Sequence, residues 1–126
     1  MTDAPDIALA RVYDAPGAAP GARLLVDRVW PRGVSKEALE LDDWIREVAP
    51  SDALRKWFHH DPGKWDAFQR CYCAELDQND EAVERCLSWR RKGPVVLLYG
   101  AKDREHNQAV VLRAYLHEQL RQGGAA

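Results

Sequence analysis

The chain is poor in cysteine. Its three residues, Cys71, Cys73 and Cys86, are odd in number and show no C-x-x-C or Cys/His metal spacing. On a helix, Cys71 and Cys73 would lie about 200° apart and could not share a face. Buried free thiols in a reducing compartment are expected, with no metal and no cofactor. No apolar run approaches ~18 residues, so no membrane-spanning helix is expected. The opening "MTDAPDIALA" lacks the basic start and long apolar core of a secretory signal, and a cytoplasmic protein is the expectation. Charge of one sign is also missing: 18 basic and 20 acidic residues leave a net −2. That balance removes any global pull toward nucleic acid or anionic lipid. Neither phosphate-loop fingerprint occurs, G-x-G-x-x-G or G-x-x-x-x-G-K-[ST], and nor does the G-x-S-x-G nucleophile turn.

What is present suffices for a core. The chain has 126 residues, 46% of them hydrophobic, and five tryptophans. One domain over 1–126 is expected, with 1–6 and 122–126 frayed. Strands are predicted at 7–14, 22–30 and 94–99; "PVVLLY" at 94–99 is the continuous apolar type that parallel sheets bury on both faces. Helices are predicted over 35–49, 51–60, 61–79, 80–93 and 105–121. Their cap-type starts are Ser35, Ser51 and Asp61-Pro62, and their apolar spacing is helical, as in Trp65, Phe68, Tyr72 and Leu76. This order predicts a compact α/β domain: a small, mostly parallel sheet of about three strands packed by about five helices.

In open α/β sheets, ligands gather beyond the carboxyl ends of the strands. That rule selects two loops, "DRVWPRG" at 27–33 and "YGAKDREHN" at 99–107. Arg28, Arg32 and Lys102 would meet an anion there, beside the unpaired N–H groups that open the last helix. Trp30 would stack or line an apolar wall, Asn107 and Tyr99 would complete the ligand contacts, and Asp103 and His106 would orient or exchange protons. The competing structural reading is an ion-pair network, Arg28 with Asp103 and Asp27 with Lys102. His59 and His60 point about 100° apart on a helix and cannot grip one metal as an i,i+4 pair. His60 is the preferred third member of an acid–base set with Asp103 and His106. The plainer reading of His59, His60 and Asp61 is a helix end followed by an Asp-Pro start.

The combination "DRVWPRG", "APS…LRKWF", "HDP..W..F" and "LLYGAKD..HN.A" resembles the YeaO-like branch of the domain-of-unknown-function 488 (DUF488) family, over about residues 8–118. The resemblance implies a single cytoplasmic α/β domain. Wider relatives carry cysteine and a Cys-His-Arg run around the strand-to-helix corner, where this chain has Tyr99 and "EHN". That departure implies no thiol chemistry here.

Two functions are open at this point. One is a site for a small anionic ligand of phosphate or nucleotide type, with or without hydrolase or transferase chemistry. The other is a binding module for nucleic acid or a protein partner, using Arg11, Arg23, Arg28, Arg32, Lys36, Arg55, Lys56 and Lys64 as one basic face.

Overall fold

A computed structural model describes residues 7–14, 21–59 and 61–124. The elements are β1 (Ile7–Arg11), β2 (Ala22–Leu25), α1 (Lys36–Leu39), β3 (Asp43–Trp44), α2 (Asp52–Phe58), α3 (Trp65–Asp77), α4 (Asp80–Lys92), β4 (Val95–Tyr99) and α5 (Gln108–Gly124). Short 3-10 turns occupy Arg46–Val48 and Pro62–Lys64. The strands form one sheet in the order β1-β4-β2-β3, and every pairing is parallel.

β4 is central and buried at all five positions, as its unbroken apolar run demands. Alternation then divides its side chains. Val95, Leu97 and Tyr99 join the larger core with Phe68, Tyr72, Leu76, Leu87 and Leu112. Val96 and Leu98 point the other way, to Leu25 and Leu39, with Trp30 and Trp44 packed alongside. Gly21 leads into β2 with φ +127°, and a Cβ there would sit 2.6 Å from the Pro94 carbonyl oxygen, so only glycine fits.

The helix expected over 35–49 is broken. Ser35 does cap a helix, accepting the Ala38 N–H at 3.0 Å, but Glu40 turns left-handed at φ 51° after a single turn. Asp43 and Trp44 instead pair with Leu24 and Leu25 as a fourth strand. The reason is which core each side chain enters. Leu39 packs on one face of the sheet and Ile45 and Val48 on the other, so one straight helix could not deliver all three. The expected Cys burial also needs correction: Cys86 is buried, Cys73 partly so, and Cys71 exposed. Burial pushes the Cys86 thiol up to about 12.

α2 is anchored by a carboxylate. Ser51 accepts the Leu54 N–H at 3.1 Å, while Glu75 of α3 accepts the Ser51 N–H at 2.8 Å and its hydroxyl at 2.6 Å. Glu75→Ala would leave these donors unpaired in a partly buried corner. A loss of about 2 kcal/mol is expected, read from urea unfolding.

Candidate functional site

Because β2 and β4 are adjacent and parallel, their following loops emerge at one end of the sheet. Asp27, just past β2, ties the loops together: its Oδ2 accepts the Gly100 N–H at 2.9 Å, and its Oδ1 accepts the Gln108 side-chain amide. Gly100 eases this approach, since a Cβ would stand 3.0 Å from that same Oδ2 and force the carboxylate to shift. Burial pushes the Asp27 carboxyl up to about 6, against the pull of the Gly100 and Gln108 bonds and the Arg55 charge.

A cavity of about 290 Å³ opens beside Asp27. Arg28, Arg32, Arg55, Asn107 and Gln108 line it, together with Gly100 and Ala101. Its apolar lining is Tyr13, Val29, Pro31, Ala49, Pro50, Phe58 and Phe68. Three guanidinium-bearing residues thus border the cavity against one carboxylate. They are held differently. Arg28 donates from Nε to the Pro50 carbonyl and from Nη2 to the Ala49 carbonyl, both at 3.1 Å, while its Nη1 donates no hydrogen bond among the described residues. Arg55 meets Asp52 at 3.2 Å across a solvent-exposed gap. The Arg32 side chain makes no hydrogen bond or ion pair among the described residues, although its backbone carbonyl accepts the Tyr13 hydroxyl at 2.9 Å.

Of the residues singled out in the sequence, Arg28, Arg32 and Asn107 border the cavity; Trp30, Tyr99, Lys102, Asp103 and His106 do not, and His60 lies outside the described residues. Trp30 donates from its indole to the Val34 carbonyl at 2.7 Å and packs edge-on to Trp44, with 5.3 Å between ring centroids. It packs on the smaller core and is not in the lining of this cavity. Tyr99 is buried in the larger core, which raises its hydroxyl pKa. Lys102 is exposed.

Asp103 and His106 do meet, Nδ1 to Oδ2 at 2.9 Å. The same carboxylate also accepts the N–H groups of Glu105 and His106, at 2.9 and 3.0 Å. The Glu105 bond leads in holding it below the usual carboxylate range, with the His106 ring next. The Asn107 amide donates to the Asp103 carbonyl at 2.8 Å and its Oδ1 accepts the Val110 N–H at 3.2 Å. These residues therefore build the start of α5, and the His106 ring rests edge-on to Trp65, centroids 5.1 Å apart. Asn107 reaches the cavity wall with its side chain engaged in that cap. The ion pairs anticipated between the loops do not form. Asp27 bonds Gly100 and Gln108, and the corner's salt bridge joins Arg104 to Asp14 at 2.7 Å.

Arg55, Phe58, Phe68 and Gln108 were not foreseen at the site. One signal existed: Arg55 and Phe58 are i and i+3 on α2 and so share a helix face. Among the described residues no group of three His, Cys, Asp or Glu side chains gathers to hold a metal. No described helix is long and apolar enough to cross a membrane.

Residues 6–126 match the family model described as "Inactive DUF488-N3 subclade". The chain is 43% identical over 106 residues to the "Uncharacterized protein YeaO" of Escherichia coli, covering 84% of this chain and 92% of that one. It is 40% identical over 78 residues to "Uncharacterized protein Rv3073c" of Mycobacterium tuberculosis, covering 62% of this chain and 66% of that one. "Uncharacterized protein Mb3100c" of Mycobacterium bovis matches to the same extent. No solved structure matches.

Proposed function

We propose, for a chain that belongs to the DUF488 family, that the cavity beside Asp27 binds a small anionic ligand without converting it. The observation that carries this reading is the convergence of Arg28, Arg32 and Arg55 on one cavity with a single carboxylate. Guanidinium groups suit phosphate and carboxylate because their forked donors match those oxygens in pairs. The Asp103–His106 pair, the best acid–base candidate in the sequence, is outside the cavity lining and engaged in starting α5. The description of the matched subclade as inactive agrees with binding rather than turnover.

The basic-face reading for nucleic acid or a protein partner draws less support. Arg11 donates to the Ala101 carbonyl at 2.8 Å, Arg23 to the Leu39 carbonyl at 3.0 Å and Lys64 to the Trp57 carbonyl at 2.8 Å. Cations already engaged with their own backbone are less available to track a row of phosphates.

Arg32→Ala tests the proposal, because that residue borders the cavity and its side chain makes no hydrogen bond or ion pair among the described residues. Calorimetric titration with sulfate should show affinity falling about tenfold or more, the usual scale for one charge-assisted hydrogen bond. The melting temperature should stay unchanged. Lys102→Ala, outside the lining, should bind like the parent. Equal losses in both variants would point to diffuse surface charge and overturn the reading.

A further inference from the structure

Resting on that anion-binding reading, we infer that the ligand is a small aromatic acid: one ring carrying one phosphate or carboxylate.

Size comes first. A cavity of about 290 Å³ is roughly twice the ~150 Å³ that encloses a benzene molecule. It sits at the lower edge of the ~300–1,000 Å³ range of small-molecule sites. The volume matches a ring plus one anionic group. A bare inorganic anion would leave much of it empty.

The character of the lining comes second. Anion sites need donors, yet half of this lining is apolar. Phe58 and Phe68 are 4% and 2% exposed and stack on each other with centroids 4.3 Å apart and planes at 23°, and both still border the cavity. Pro31 and Pro50 add rigid walls that lose no rotamer freedom when a ligand arrives. Tyr13 and Val29, also in the lining, are two of the three large hydrophobic side chains that remain well exposed among the described residues, at 51% and 62%. A ring seated in the cavity would cover them. Phenylalanine rings favour flat π-systems, and guanidinium planes stack on them as well as binding their acid groups. This places a ring against Phe58 and Phe68 and its acid against Arg28, Arg32 and Arg55.

The experiment is a calorimetric comparison of inorganic phosphate, methyl phosphate, cyclohexyl phosphate and phenyl phosphate on the full chain. Phenyl phosphate should bind about ten- to a hundredfold more tightly than methyl phosphate, the gain expected from burying one ring, and more tightly than cyclohexyl phosphate. Val29→Ser, at a position 62% exposed, should lower phenyl phosphate affinity severalfold and inorganic phosphate affinity by much less. If phosphate binds but phenyl phosphate gains nothing, the aromatic ligand is wrong and the anion site stands. If cyclohexyl phosphate equals phenyl phosphate, the cavity selects apolar bulk and the aromatic claim fails. If none of the four binds, the anion reading itself falls.

Discussion

Asp27→Asn is expected to stabilise the protein by about 3 kcal/mol at pH 7.5 and to tighten sulfate binding about tenfold or more at the same pH. The parent carboxyl is shifted from 3.8 to about 6 by burial, so the folded chain holds this proton more firmly than the unfolded chain. The ionised form therefore costs stability above pH 6, the cost fades as pH falls from 6 to 4, and it is absent below pH 4. Converting the shift gives about 3 kcal/mol. An amide side chain keeps the geometry. Its oxygen can accept the Gly100 N–H, and Gln108 can turn its own amide to offer an oxygen to the new N–H₂. The binding effect has the same origin. Taking a separation of ~8 Å and an effective dielectric of about 20, the Asp27 charge opposes each negative charge of the bound anion by about 2 kcal/mol. Parent affinity for sulfate, which stays dianionic throughout, should thus rise as pH falls through 6, while the variant's stays flat. Chemical denaturation at pH 4.0 and 7.5 with parallel titrations checks both. A variant that is less stable at pH 7.5, or that keeps the parent's pH profile, would show that Asp27 is wanted as a charge.

Arg28→Ala is expected to lose both stability and binding, unlike Arg32→Ala. Its Nε and Nη2 donate to the Pro50 and Ala49 carbonyls. Those residues are buried where the chain turns from the Arg46–Val48 segment into α2. Removing a charged donor from two buried carbonyls costs roughly 3 kcal/mol, and α2 carries Arg55 and Phe58 into the cavity. Expected readings are a melting temperature lowered by roughly 10 °C or more and no measurable sulfate binding. Arg28→Lys should recover part of the stability, because one ammonium can reach one carbonyl but cannot span both. A variant with the parent's melting temperature would mean those carbonyls are served by water.

Much of this arrangement is legible in the sequence. A continuous apolar run at 94–99 announces a central strand, and two parallel strands place the segments that follow them at one end of the sheet, although the strand expected over 22–30 ends at Leu25. That is enough to expect Arg28 and Arg32 at that end, where both border the cavity. Local polarity is a poorer guide to what each side chain does there. Lys102, Asp103 and His106 look chemical as a string of letters, but a strand-to-helix corner also needs an Asx turn and a cap, and Asp103 and Asn107 supply them. Trp30 lies in the right loop and turns inward, because the small second core needs its ring beside Trp44. The Arg55 and Phe58 contribution depends on how α2 docks on α3. Helical periodicity gives their common face without saying what that face meets. The break after Leu39 is hidden for a related reason. Leu41, Trp44, Ile45 and Val48 fit a helical period, and only the two-sided sheet separates them, the first two to the smaller core and the last two to the larger.

The most direct measurement is a sulfate titration of the parent protein followed by backbone amide chemical shifts. Saturable movement with one common dissociation constant is expected at Val29, Ala101 and Gln108, around the cavity. Shifts that stay linear to the end of the titration, or that saturate on α4 around Arg91 and Lys92 instead, would contradict an anion site between the two loops.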